Sequence, residues 1–214
     1  MVQCPNNGRW IVIGGQTTFD PIFDEDVHIV DFSTGDASVV IRGDVASEIY
    51  DLRSVGITTD CRYLLFGNQS LFSETFGRLF LIDLSTGVPV LADSIDTNED
   101  ISQVTYMDSL DMFLVSSFES EQISTYDIEN GRLVRRATLE RQGLVAGVAV
   151  LPKDEGAHLV IASIHASQGS RIGTSEVDGD GQFRQVVWRP LGDGGANIPS
   201  MLTDSGWLTV IDGE

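Results

Sequence analysis

The sequence predicts an all-β chain in which one four-strand unit is repeated four times and left half-finished in a fifth copy. Three observations carry this expectation. A strand closed by an acidic residue and a glycine turn recurs along the chain. A second marker, a polar turn feeding an apolar strand, recurs with the same period. No window sustains the 3.6-residue apolar period over the roughly 10–12 residues that a helix needs.

The first marker reads VHIVDFSTG at Val27 to Gly35, LFLIDLSTG at Leu79 to Gly87 and ISTYDIENG at Ile123 to Gly131, with a degraded copy, RIGTSEVDGDG, at Arg171 to Gly181. Its acidic anchors, Asp31, Asp83, Asp127 and Glu176, stand 52, 44 and 49 residues apart. A tight hairpin needs residues tolerant of positive φ, which Gly and Asn supply. The carboxylate before the turn has a local task, accepting backbone N–H groups, so these anchors are expected to be structural rather than catalytic.

The second marker reads NNGRWIVIGG from Asn6, TDCRYLLFGN from Thr59, SLDMFLVSS from Ser109, EGAHLVIAS from Glu155 and DSGWLTVID from Asp204. Aligned on Trp10, Tyr63, Met112, His158 and Trp207, the copies are 53, 49, 46 and 49 residues apart, close to the spacing of the first marker. Two further strands complete each unit. One follows the glycine turn (ASVVIRG, VPVLADS, RLVRRATL, QFRQVVW) and one precedes the next polar turn (SVGITT, SQVTYM, AGVAVL, PSMLT). Short β-branched runs bounded by Gly, Asp, Asn and Ser are strand-like.

With these motifs in place the chain resembles the WD-repeat and related YVTN-type repeats over nearly its whole length. The Trp-Asp dipeptide is replaced by VD, ID, YD and SE, and the Gly-His signature is absent, so the resemblance reaches the superfamily and not one family. It implies a β-propeller of four-stranded antiparallel blades, four complete units plus a partial fifth, each burying its faces against its neighbours. The units are expected at about 1–47, 48–98, 99–143 and 144–195, with a partial unit at 196–214, in a single propeller domain or a fragment of one. The N-terminus cannot complete the last unit, because Val2 matches Val55 and Arg9 matches Arg62, which makes MVQCPNNG the innermost strand of the first. Three arrangements follow: a fragment of a larger propeller, which is the favoured one; imperfect closure with four blades and a remnant; or two chains joined through the incomplete blade.

Charge limits the partners. The chain holds 32 acidic and 13 basic residues, with Lys153 its only lysine. Such a field repels polyanions, which argues against nucleic acid and anionic membranes. It suits either a basic partner or a surface adapted to a salty interior. No run approaches the roughly 18 apolar residues of a membrane span. No basic-plus-apolar leader opens the chain, so the cytoplasm is the default location. Cys4 and Cys61 are too few for a disulfide scaffold and read as free thiols.

Signatures of chemistry are missing. There is no GxSxG, P-loop or GxGxxG after a strand, hence no catalytic residue, cofactor or metal ligand to nominate. His28 and His158 fall in strand patterns, and His165 in a loop, SIHASQGS, where it is expected to be solvated. DGDGQ at Asp178 has the Asp and Gly residues of a calcium loop without the Gly and Glu of its later positions, and reads as a hairpin turn. DTNED at Asp96 reads as a charged loop.

The sharpest functional feature is a pair of long loops after the second strand of units one and two, GGQTTFDPIFDED and GNQSLFSETFGR. Each carries F-x-x-x-F. Phe19 with Phe23 and Phe72 with Phe76 are expected on one rim of adjacent blades, beside Asp20, Asp24, Glu25 and Glu74, as aromatic anchors for a protein partner. The competing reading has the rings capping their own blades. Overall the sequence favours a non-catalytic interaction scaffold. Its alternative is a propeller enzyme or small-molecule binder, lactonase-like or quinoprotein-like, whose site is completed by missing blades.

Overall fold

The computed structural model describes residues 2–4, 10–14, 27–31, 36–41, 52–68, 77–97, 101–117, 122–140, 144–153, 156–165, 169–190, 201–202 and 208–209. The described elements are strands arranged in four-stranded antiparallel sheets plus one strand pair, the all-β blade architecture that the repeats imply. The first sheet runs β1 (Val2–Gln3), β2 (Trp10–Gly14), β3 (Val27–Asp31), β4 (Asp36–Ile41). The second runs β5 (Leu52–Ile57), β6 (Tyr63–Asn68), β7 (Arg78–Asp83), β8 (Val90–Asp96). The third holds β9 (Ile101–Met107), β10 (Met112–Ser117), β11 (Gln122–Glu129) and β12 (Arg132–Glu140). The fourth holds β13 (Leu144–Lys153), β14 (Gly156–His165), β15 (Gly169–Val177) and β16 (Phe183–Pro190). β17 (Met201–Leu202) and β18 (Leu208–Thr209) form the final pair.

Register ties the two sequence markers together. Tyr63 stands opposite Asp83 and His158 opposite Glu176, so the aromatic or histidine anchor of one marker faces the acidic anchor of the other. In the first sheet the pairing is one residue out of line, with Ile11 opposite Asp31. The glycine turns have the expected backbone: φ is +78° at Gly87 and +77° at Gly181, and Asn130 and Gly131 are both positive at +54° and +76°, as a two-residue hairpin of matching twist requires.

The chain forms two compact units, Met1–Tyr106 with Ile128–Val134 and Met107–Asp127 with Arg135–Glu214; the third sheet contributes to both. In the first unit β1 contacts β5 and β4 contacts β8, inner strand to inner strand and outer to outer. β6 is buried from Tyr63 to Gly67 because both of its faces are covered. One face places Leu64 and Phe66 with Ile57, Phe80, Ile82 and Cys4, and the Phe66 and Phe80 rings stack with centroids 5.1 Å apart. On the other face Gly67 lies against the Ile101 side chain so closely that a Cβ would overlap it. Fully burying one such Leu or Phe contributes about 1.5–3 kcal/mol. The outer strand β8 alternates exposed and half-buried positions instead.

Polar side chains stitch neighbouring sheets where backbone ladders stop. Ser54 Oγ accepts from Val104 N at 2.8 Å and donates to Val104 O at 3.2 Å, joining inner strands β5 and β9. Asp93 Oδ2 accepts from Leu133 N at 2.9 Å. In the second unit the core gathers Met112, Leu114 and Ile123 with Val148, Leu159 and Ile161. There Ser109 Oγ donates to Gly156 O at 2.6 Å and Thr125 Oγ1 to Gly181 O at 2.7 Å.

Two expectations are corrected. Cys4 and Cys61 are joined in a disulfide, not free, with their Cα atoms 5.5 Å apart. Their separation of 57 residues hid the pairing, which exists only because the first two sheets stack. His165 belongs to no loop. It is the last residue of β14, opposite Gly169, so the connection shrinks to residues 166–168. His28 and His158 do lie in strands β3 and β14.

Candidate functional site

The strand ends define two rims, and the first unit shows which loops share one. Cys4 follows β1 and Cys61 lies in the turn between β5 and β6, so their disulfide places the end of β1 and the β5–β6 turn on one rim. Antiparallel pairing then puts the end of β2 and the start of β3, and the end of β6 and the start of β7, at the opposite rim.

Within each unit the tight turns are shaped by aspartate carboxylates that accept hydrogen bonds from the turn. Asp60 Oδ1 accepts from Arg62 N at 2.9 Å and from Thr58 Oγ1 at 2.6 Å. Asp83 Oδ1 accepts from Ser85 N at 2.8 Å, as expected of a turn anchor. In the fourth sheet this task falls to Asp178, two residues beyond Glu176: its Oδ1 accepts from Gln182 N at 2.9 Å and Asp180 N at 3.1 Å, and its Oδ2 from Arg184 Nε at 2.8 Å. DGDGQ is thus a hairpin turn closed by its own aspartate. Asp127 instead pairs with Arg136 across the hairpin.

On the wider rim the structure describes the feet of the second long loop. Arg78 opens β7 and Asp96 closes β8, and the two form an ion pair at 2.5 Å. Thr97, buried, donates through Oγ1 to Gly77 O at 2.7 Å and through its backbone N–H at 2.9 Å. These bonds hold the chain where it re-enters the second sheet, just after the segment that carries Phe72 and Phe76. At the level of sequence Arg78 is only the end of GNQSLFSETFGR and Thr97 only a member of DTNED, neither with a role; Asp96, read there as the start of a charged loop, is the last residue of β8. Their roles come from being opposite each other's strand ends. Phe19, Phe23, Phe72 and Phe76, with Asp20, Asp24, Glu25 and Glu74, lie outside the described residues. Among the described residues no three His, Cys, Asp or Glu side chains group as metal ligands, and no helix is long and apolar enough to cross a membrane.

Three of these carboxyls are held below the ordinary aspartate value of 3.8. For Asp96 the main cause is the hydrogen bond from Arg78, reinforced by its charge against the opposing effect of burial. For Asp178 it is the Gln182 amide, then Arg184. For Asp83 burial pushes upward, but the Ser85 hydroxyl and amide and the Arg62 charge together outweigh it. Carboxyls more acidic in the folded than in the unfolded chain stabilise the fold fully above the unfolded value, and that stability is lost as pH falls through the lower folded values. Acid unfolding is therefore expected only below about pH 4. At neutral pH the net charge of −19 repels itself, so raising salt from low to molar concentration should add about 1 kcal/mol and about 2–4 °C to the melting temperature. Melting curves across pH and salt check both; a midpoint already falling between pH 6 and 5 would contradict the first.

No family model and no curated protein matches the chain. Solved structures do. A 6-phosphogluconolactonase-like protein from Bacteroides fragilis superposes with a TM-score of 0.65 at 12% identity, over 95% of this chain and 62% of that one. Dihydro-heme d1 dehydrogenase NirN, solved in complex with DHE, gives 0.59 at 18% identity over 92% of this chain and 38% of its own. The Dos1 propeller gives 0.56 at 15% identity over 86% of this chain and 44% of its own. The chain thus spans less than two thirds of the length of each. At such identities the likeness speaks for fold alone, and together with the four-stranded antiparallel sheets it shows that this chain is built of β-propeller blades.

Proposed function

We propose that the chain is a non-catalytic interaction scaffold that presents the β2–β3 and β6–β7 loops, residues 15–26 and 69–76, to a basic protein surface. The observation that carries this reading is that the strand ends bounding both loops lie on one rim of adjacent sheets, which the Cys4–Cys61 link establishes. Charge supports it. In the first unit the segments joining strands on that rim, 15–26, 42–51, 69–76 and 98–100, contain ten acidic residues and one arginine, whereas those on the tight-turn rim, 5–9, 32–35, 58–62 and 84–89, contain one acidic residue and two arginines. An acidic field steers a basic partner, and Phe19, Phe23, Phe72 and Phe76 supply the apolar anchors that give such a contact its affinity.

The test is a partner identified by crosslinking in the native host, then titrated against wild type and the quadruple variant F19S/F23S/F72S/F76S. Affinity is expected to fall about 30-fold or more, with the far-ultraviolet spectrum unchanged. Equal affinity for the two proteins sinks the reading. A second reading, a propeller enzyme or small-molecule binder, draws on fold likeness to a lactonase-like protein and a dehydrogenase. Saturable binding of a sugar lactone or a tetrapyrrole by the quadruple variant would favour it.

A further inference from the structure

We propose that the Cys4–Cys61 disulfide is an oxidative lock on the innermost strand of the first sheet, and that the folded chain belongs to an oxidising compartment. β1 is only Val2–Gln3, paired through Val2 with Ile11 and Gln3 with Trp10. Two residue pairs give little return against the entropy lost in ordering a strand. The next residue supplies what the pairing lacks. Cys4 is 1% exposed and packs in the core of the second sheet among Ile57, Leu64, Phe66, Phe80 and Ile82. Its bond to Cys61 pins β1 to that sheet and closes a loop of 57 residues, which narrows the unfolded ensemble.

The accessibilities order the chemistry. Cys61 is half-buried in its turn, whereas Cys4 is buried. The oxidant is a dithiol/disulfide carrier protein. The Cys61 thiolate attacks one carrier sulfur, breaking the carrier's S–S bond and forming a mixed disulfide. The Cys4 thiolate then attacks Cys61 Sγ and expels the carrier's bound sulfur. The two cysteines are oxidised by two electrons, the carrier is reduced to its dithiol, and the protons lost from the two cysteine thiols are taken up by the carrier's thiolates. Such bonds persist where the thiol pool is oxidising, which favours export over the cytoplasmic default. When the bond is cut, β1 leaves, and the N–H and C=O groups along the free edge of β2 become open to strand addition.

Protein from the native host, quenched in acid and alkylated under denaturing, non-reducing conditions, is expected to carry no alkyl group and to weigh two hydrogens less than the reduced chain. Two alkylated cysteines would overturn the lock and its compartment together. Hydrogen exchange on the folded protein tests the strand without a variant. Reduction should speed exchange at Trp10 and Ile11, the residues that β1 covers, by about tenfold or more and leave β14 and β15 unchanged. Unaltered exchange at Trp10 and Ile11 means that the bridge holds nothing. Cys4→Ser, Cys61→Ser and the double variant should match the reduced wild type equally; a double variant faster than either single would assign the effect to lost packing rather than to the bond.

Discussion

Truncating Phe66 to alanine is expected to destabilise the chain by about 3–5 kcal/mol, the range for deleting a buried aromatic ring. Phe66 is 1% exposed, stacks on Phe80 across the β6–β7 ladder, and sits in the one cluster that also holds Cys4. The cavity would open between the first and second sheets, where little can collapse into it, because the neighbouring strands are hydrogen-bonded at fixed spacing. Urea unfolding should show a lower midpoint with an unchanged slope. Val88→Ala is the control: its side chain is 63% exposed, and its removal should stay within about 0.5 kcal/mol. A cost for Phe66→Ala of under about 1 kcal/mol would mean that this face is not the packed interface described.

The residue after Phe66 tests the opposite face of the same strand. Gly67→Ala is expected to cost about 1–3 kcal/mol, because the added methyl overlaps the side chain of Ile101, which is wholly buried. Here the signature is coupling. Ile101→Ala alone removes a buried side chain and should cost about 2–5 kcal/mol. Combined with Gly67→Ala it creates the space that the new methyl needs, so the double variant should be at least 1 kcal/mol more stable than the sum of the singles predicts. Strict additivity would show that Gly67 and Ile101 do not touch. The two substitutions together probe both covered faces of β6 and so the stacking that defines a blade.

Much of this arrangement could be read from the residues. The run YLLFG at Tyr63 to Gly67 has no alternation, which suits a strand buried on both faces, and the glycine turns at Gly87 and Gly131 have the positive φ that their sequences require. Strand pairing even sets Tyr63 against Asp83 and His158 against Glu176, the anchors of two independently found markers. The turn role of Asp178 escaped because Glu176 occupies the aligned position, and hydrogen bonding follows the actual turn geometry rather than the alignment. The placement of His165 escaped for a related reason: polar residues at a strand end read as loop.

By itself, then, the amino-acid sequence determined the all-β class and the four-strand unit, since these follow from local propensity and a period repeated in two markers. The tertiary structure alone decided that Gly67 must be glycine, that Ser54 completes the bonding of an inner strand, that the two loop origins share a rim, and that Cys4 meets Cys61. Each of these depends on which face of one sheet meets which face of the next. That choice is made by contacts between residues some 30 to 60 positions apart, and no local pattern encodes it.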